Sequence, residues 1–593
     1  MDETTQIRGG GFLIEDSAPG AVHSPEDFLD EQKMFAATVR EFVEKEVLPR
    51  LEETEAKKEG VMAGLLRKAG ELGLLMVDLP ERYGGLGMNK ATSMLVAEMA
   101  SWGGAFASTF GAHTGIGTLP ILYFGTPEQR ERYLPRLATG ELLSCYALTE
   151  AGSGSDALAA KTTAVKSADG SHYLLNGEKL FVTNGGFADI FIVFAKIDGT
   201  DFTAFIVERG ASGVTVGAEE HKLGIKGSST VTLVLEDARV PAENLLGEPG
   251  RGHKIAFDIL NIGRFKLGAG CLGAAKQAFG DSLVYAGERE QFGRPINSFG
   301  LIKHKLATMA AGIYVTESMV YRTAGLIDAL IAGIDPGAED AHRRAIGAIE
   351  EYSIECSIIK VKGSEMLDYV VDEAVQIFGG YGYSSEYPVE RYYRDARITR
   401  IYEGTNEINR LVIPGMLIKR GMKGILPLMS AAKKLQDELL DFPALEEERE
   451  EGFMVEEARM VANAKKIILL AAGVALQKHM QGLQEQQGIL GGLADMVIEL
   501  YGMESALLRT RKIADTSGSS VDIASLMTRL LVFEGMGRID LLAKDVLAAS
   551  ASGDELRTML AAIRRLTRFV PIDTIAARAA IAGHFIERGS YTL

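Results

Sequence analysis

The segment RITRIYEGTNEINRL, Arg397–Leu411, carries two glutamates four residues apart in different settings. Thr405 has the side chain and the place of a helix N-cap, with Asn406 and Glu407 in the first turn and Ile408, Arg410 and Leu411 beyond. Glu407 therefore sits where the helix dipole favours a carboxylate, a structural role worth roughly 0.3–1 kcal/mol. Glu403 precedes the Gly404-Thr405 break, on a loop between two ordered pieces, the usual station of a base. A lone loop glutamate is more often merely solvated, so its surroundings must decide.

Three further stretches bear on it. In YALTEAGSGSDA, Tyr146–Ala157, the residues Gly152, Ser153, Gly154 and Ser155 form a tight loop able to turn backbone N–H groups toward an oxygen-rich ligand. Such loops are mostly plain turns; here neither a P-loop nor a G-x-G-x-x-G between strand and helix is present, which excludes the common nucleotide motifs. LFVTNGG, Leu180–Gly186, reads as a strand ending at Asn184-Gly185, and Phe181 fits a core equally well. AVQIFGGYGY, from Ala374, thins the backbone with glycines just ahead of the Glu403 loop.

The elements that must hold these residues follow an α–β–α order. A chain of 593 residues implies roughly three to five domains. Residues 1–23 are acidic and Gly-rich, lack a signal-peptide pattern and are expected to form a mobile tail. Ser24, Pro25 and Asp27 then make a capping box opening an N-terminal helical domain over 24–143, with Phe28, Phe35, Val39, Phe42 and Val43 at helical spacing. Residues 144–251 alternate with period two and predict a middle β domain, with Asn176-Gly177 as a hairpin turn. Residues 252–416 are helical again. A basic amphipathic piece and an acidic linker cover 417–452, and a C-terminal helical domain covers 453–593. The fold class is thus mostly α with a central β domain, helical layers around a small sheet. The apolar run Ile467–Leu476 is half a bilayer span and predicts a buried helix. A net charge of -17 excludes a nucleic-acid partner. The three cysteines have no metal spacing and fit a reducing, cytoplasmic compartment.

LTEAGSGSD, FVTNGG, QIFGGYGY and IYEGTNEINR together resemble the acyl-CoA dehydrogenase family, in its order and spacing, over roughly residues 30–415. LGIKGSSTVTLVLEDARVPAENLLGE, ILNIGRF, FGLIKHKLA and YVTESMVY are most similar to its very-long-chain branch, as is the extra C-terminal block. The resemblance implies a four-helix domain over 252–416, non-covalent FAD, and oxidation of a long-chain fatty acyl-CoA to the trans-2-enoyl-CoA in β-oxidation. Glu403 matches the base that removes the α proton while the β hydrogen leaves as hydride to the flavin; Gly404 lets the backbone approach the substrate.

The resemblance also distributes the cofactor. Tyr146, Leu148, Thr149, Gly154 and Ser155 match the strand and loop lining the flavin ring, with Ser155 also near the acyl-CoA. Phe181, where many relatives have Trp, matches the aromatic packed on the flavin, followed by Val182 and Thr183; Ala151 replaces a usual Pro. Thr405, Asn406 and Glu407 match FAD contacts beyond the base. Arg289, with Gln291 and Phe292, matches residues reaching the FAD of a neighbouring subunit, as do Gln376, Ile377, Phe378, Gly379 and Gly380, which makes a homodimer with FAD at the subunit interface the expected assembly. Asn261, Gly263 and Arg264 match the segment near the pantetheine arm. No metal is expected; an electron-transfer flavoprotein is the expected acceptor.

Two other roles on this scaffold stay open at this point: an oxidase that uses O₂, and a largely non-catalytic factor in respiratory-complex assembly. Residues Leu417–Leu435, with Lys419, Arg420, Lys423, Lys433 and Lys434 among apolar residues, fit either a peripheral contact with the inner membrane face or a helix packed on the C-terminal block. The small-residue run Gly111–Gly117 would leave room for a long chain if it borders the pocket.

Overall fold

The computed structural model describes residues 7–440, 452–516 and 521–593. All of the acidic linker except Gly452 lies outside the described residues.

The N-terminal helices start where the capping chemistry places them. Asp27 accepts the Ser24 N–H at 2.8 Å, and the helix Asp30–Phe42 follows, burying Ala36, Val39 and Phe42. The helix Lys90–Ala100 is buried on nearly every side. After Ala105–Gly111 the chain widens into a π turn over Ala112–Gly117, the Gly-rich run noted in the sequence.

The middle domain is one eight-stranded sheet. Ser144–Ala147 pairs in parallel with Ile190–Ile197, and the long strands His172–Thr183 and Thr230–Pro241 are antiparallel. Asn176-Gly177 is not a hairpin turn. It lies inside the strand His172–Thr183, where Gly177 has φ 153° and a Cβ would stand 2.4 Å from Thr162 Oγ1. The glycine serves close strand approach, and the hairpin is made instead at 167–171, where Asp169 accepts from Ser167 Oγ and the Ser171 N–H.

The second helical layer is built on Gly252–Glu288, Gly300–Ala332, Ser353–Phe378 and Asn406–Met422. Close approach of the first and third depends on glycine: a Cβ on Gly268 would lie 2.2 Å from Ile359, and one on Gly363 would lie 3.3 Å from the backbone of Gly268. The C-terminal domain adds Val455–His479, Gln487–Asp515, Val521–Ser550, Gly553–Leu566 and Thr574–Arg588. The run Ile467–Leu476 lies within the first of these, with Ile467, Ile468, Leu470 and Ala471 buried. Leu417, Leu426 and Leu435 are also buried, so the apolar side of that basic segment packs on the protein itself.

Residues 7–22, expected as part of a mobile tail, are instead a strap across the joint between the second helical layer and the C-terminal domain. Phe12 is buried with its ring 4.7 Å from that of Tyr501. On the core side, the Gly10 N–H donates to Glu355 at 2.7 Å and the Tyr352 hydroxyl to Ile7 O at 2.9 Å. On the other side Lys465 reaches Glu15 O and Asp16 at 2.7 and 2.8 Å. Composition suggested mobility because the glycines RGGG were read as flexibility; they are there for contact, since a Cβ on Gly9 would sit 1.9 Å from Glu351 O. Phe12→Ala is expected to cost about 3–5 kcal/mol, measured as a lower thermal midpoint and faster proteolysis in the C-terminal domain.

Candidate active site

Glu403 is held in the left-handed region at φ 57°, followed by Gly404 at φ 78°. Two consecutive left-handed residues, the first a glutamate, store strain that the surroundings must hold. Asn409 does most of this: its Nδ2 donates to Gly404 O at 2.9 Å, to Thr405 O at 3.0 Å and to Glu403 O at 3.4 Å. Arg264 adds a donation from Nε to Glu403 O at 3.3 Å, and its Nη1 is oriented by Asn261 Oδ1 at 3.0 Å. Thr405 caps the following helix by accepting the Ile408 N–H at 3.2 Å. With the carbonyls occupied, the Glu403 side chain is turned into a cavity.

That cavity, about 210 Å³, is also lined by Thr183 and Gly263. The carboxylate lies directly over Gly263: a Cβ there would be 2.2 Å from Glu403 Oε2. Oε2 is buried with no hydrogen-bond partner among the described residues, and so is the Tyr146 hydroxyl. Buried orphan acceptors and donors are rare, and one aimed into a cavity marks a place where a ligand completes the bonding. Burial pushes the Glu403 carboxyl up to about 7, against the pull of Arg264 and Lys360 toward the charged form. Burial also raises the Tyr146 phenol, with a smaller push from Glu403.

The loop predicted to face a cofactor begins at Tyr146, the residue whose phenol feels Glu403. Glu150 is its buckle, accepting Lys161 N, Thr162 Oγ1 and Lys179 Nζ at 2.6 Å each, and these bonds draw its carboxyl down to about 2. Gly154 and Ser155 are exposed at the rim. The Leu180 N–H donates to Thr149 O at 2.8 Å, tying this loop to the Phe181 strand. There the register slips between Lys179 and Val182, a bulge that leaves Phe181 at φ 55° and 61% exposed. A phenylalanine forced outward by a bulge, beside a hydroxyl-bearing Thr183, fits the face of a planar heterocycle and not a core. Leu148 packs in part on the core, and the Val182 side chain is buried in the sheet, so any ligand contact at 182 is through its backbone.

The remaining candidates gather elsewhere. Arg289 stands with its guanidinium 5.8 Å from the Tyr381 ring, at the base of the hairpin of Glu290–Gln291 and Arg294–Pro295. Phe292 at its tip has φ 55° and is 93% exposed. Gln376, Gly379 and Gly380 are exposed at the end of Ser353–Phe378, and the Ile377 side chain is buried. None of these lines the cavity of Glu403. Asn406 also departs from the expected pattern: its side chain is buried and bonded to Lys360, Ser364 and Glu365, so it faces inward instead of toward a ligand. Glu407 is exposed in the first helical turn, its carboxyl lowered by its own backbone N–H, as the helix-end reading requires. Sequence reasoning missed Glu150, Lys360 and Asn409; the last stood in the quoted motif and was absorbed into the helix.

Four family profiles match in order: the acyl-CoA dehydrogenase N-terminal domain at residues 29–141, the middle domain at 145–238, the C-terminal domain at 250–417, and a further acyl-CoA dehydrogenase C-terminal domain at 463–565. The chain belongs to the acyl-CoA dehydrogenase family. A probable acyl-CoA dehydrogenase of Bacillus subtilis is 50% identical over 589 residues, 99% of this chain and 98% of the relative. The human mitochondrial very long-chain specific acyl-CoA dehydrogenase is 40% identical over 479 residues, 74% of this chain and 69% of its own length. Among solved structures, the acyl-CoA dehydrogenase of Bacillus anthracis complexed with FAD superposes with a TM-score of 0.96 at 51% identity, covering 99% of this chain and 100% of that one. The butyryl-CoA dehydrogenase of Megasphaera elsdenii gives 0.60 at 39% identity, covering 66% of this chain and 99% of that one.

Gly263→Ala is expected to push the Glu403 carboxyl out of line and lower turnover by roughly 100-fold, as misplacements near 1 Å do, with an unchanged thermal midpoint as the check on folding.

Proposed function

We propose that this protein is an FAD-dependent acyl-CoA dehydrogenase that introduces a trans-2 double bond into long-chain acyl-CoA, with an electron-transfer flavoprotein as acceptor. The observation that carries the reading is the buried, partnerless Glu403 carboxyl aimed into an apolar tunnel from a strained turn. FAD, when bound, supplies the acceptor for the β hydrogen. Phe181, Thr183 and the Tyr146–Ser155 loop are the residues that would hold its ring.

Glu403 is suited to take the α proton. A carboxylate kept out of water is a stronger base toward a weakly acidic C–H, and a midpoint near 7 leaves it substantially ionised at neutral pH. Since Asn409 and Arg264 hold the carbonyls of the loop, its amide side is the one left to stabilise charge on the thioester oxygen.

The tunnel floor supports a long acyl chain. Gly263, Lys266, Leu267, Gly270, Ala274 and Gln277 line that floor along one helix, a stripe of 15 residues whose ends are about 21 Å apart at 1.5 Å per step. Small residues dominate the facing wall too, including Ala97, Ala100, Gly111 and Gly115. A short acyl chain would leave most of that length unfilled. The homology to the very long-chain specific human enzyme supports the same assignment. Arg289 and Gln376, away from the Glu403 cavity, support a homodimer in which each subunit completes its partner's cofactor site.

Glu403→Gln is expected to keep FAD and lose turnover by about 10²–10⁴-fold or more; unchanged turnover refutes the base. In the wild type, kcat/KM should fall as pH drops through about 7, because the carboxylate is then protonated. In an activity series from butyryl- to palmitoyl-CoA the long chain should be preferred, and Ala274→Phe should abolish that preference while sparing butyryl-CoA. A rate maximum at four carbons in the wild type rejects the long-chain assignment, and stoichiometric peroxide in air would indicate an oxidase.

A further inference from the structure

Lys360 is a buried cation with an unusual set of neighbours. Its side chain is fully enclosed in Ser353–Phe378, and among the described residues no carboxylate lies within ion-pair distance of it. Its Nζ donates to Asn406 Oδ1 at 2.6 Å, directly beneath the turn that carries Glu403. The carboxylate that shares Asn406 with it, Glu365, is committed elsewhere. Glu365 accepts both Nη1 and Nη2 of Arg410, at 2.7 and 2.9 Å, and Arg410 Nε is held by Asp495 of the C-terminal domain at 2.7 Å. Asn406 bridges the two systems, its Nδ2 donating to Ser364 and Glu365 at 3.0 and 3.1 Å.

A buried ammonium is expensive unless paired. Leaving it unpaired beneath a helix N-terminus, where the dipole is itself positive, is the opposite of what stability would select. The nearby group that gains is the carboxylate of Glu403.

Resting on the reading of Glu403 as the base, we propose that Lys360 is its positioning charge, an ammonium fixed under the catalytic turn through Asn406 that keeps the buried Glu403 ionised. The other groups facing this pair are Arg264 and Cys271 from Gly252–Glu288, Tyr146 from Ser144–Ala147, Tyr402 beside the base, and Glu407 on the helix after it. Among the described residues Arg264 is the only other cation acting on Glu403, and burial weakens its own charged form. Tyr146 and Cys271 are held neutral by burial. Burial lowers Lys360 to about 8, so its charge is present across the range in which Glu403 titrates.

Three variants test this in the FAD-loaded enzyme. Lys360→Gln keeps a donor for Asn406 but removes the charge; Asn406→Asp keeps the lysine but pairs it; Lys360→Arg keeps a cation. The acidic limb of kcat/KM should move up by about one pH unit in the first two, lowering activity about five-fold at pH 7 and recovering above pH 9. The Arg variant should titrate as the wild type does. Infrared titration of the protonated carboxyl band that disappears in Glu403→Gln reads the same shift without turnover, so it remains valid even if that variant stays active and the base is reassigned. An unmoved midpoint in both Lys360→Gln and Asn406→Asp, or a loss of activity equal at all pH values, overturns the proposal.

Discussion

A carboxylate kept dry without a hydrogen-bond partner is the constraint around which this structure is organised. Such a group is unfavourable in a folded protein, and it survives only because the backbone around it leaves no alternative. Two left-handed residues fix the turn, Asn409 and Arg264 hold its carbonyls, and Gly263 vacates the volume into which the side chain is directed. Apart from the turn itself, these contacts come from two helices, Gly252–Glu288 and Asn406–Met422. The base therefore reports on the packing of two long helices as much as on its own loop.

The same condition explains the helical architecture. A narrow apolar tunnel must run beside the carboxylate without collapsing, so its walls are backbone-rich: Gly263, Gly270 and Ala274 on one helix, Ala97 and Ala100 on another, and a π turn at Ala112–Gly117. Small side chains weaken helix packing locally, and compensation comes from buried charge on the outer faces. Lys276 pairs with Glu98 at 2.6 Å and also with Glu317, and Glu317 is held by Arg509 of the C-terminal domain at 2.6 Å. The C-terminal domain and the N-terminal strap thus brace a core hollowed out for substrate.

Much of this could be read from the sequence, for reasons that differ by residue. Thr405 as a cap, Glu407 as a helix-end charge and Ser24–Asp27 as a capping box depend on local chemistry, and local chemistry survives folding. The order α–β–α and the buried run at Ile467 depend on periodicity, which is nearly as robust. Asn176-Gly177 misled because the same dipeptide that makes a two-residue turn also allows two strands to close on each other, and only Thr162, fourteen residues earlier, decides between them. The glycines at 9–11 misled in the same way. Val182 and Asn406 were placed at the site through their neighbours, yet strand alternation turns the first into the sheet and the helix turn points the second at Lys360. Lys360 itself looked like one charge among several in SIIKVKGSE; what separates it from Lys362, which pairs with Glu499 at 2.9 Å, is the face of the helix it occupies.

Dividing the cofactor-binding candidates into two groups is itself a structural argument. Thr183 lines the Glu403 cavity, with Phe181 two residues before it on the same strand, while Arg289, Phe292, Gln376 and Gly380 lie away from it, with Phe292 almost wholly exposed on a hairpin tip. Phe292-Gly293 is the two-residue loop of that hairpin, which requires the positive φ found at both residues, so it is the exposure of the ring that counts against the monomer. That exposure is relieved if the tip inserts into a second copy. The proposed exchange of cofactor contacts between subunits then ties folding of the hairpin, assembly and FAD retention into one equilibrium, in which each would fail with the others.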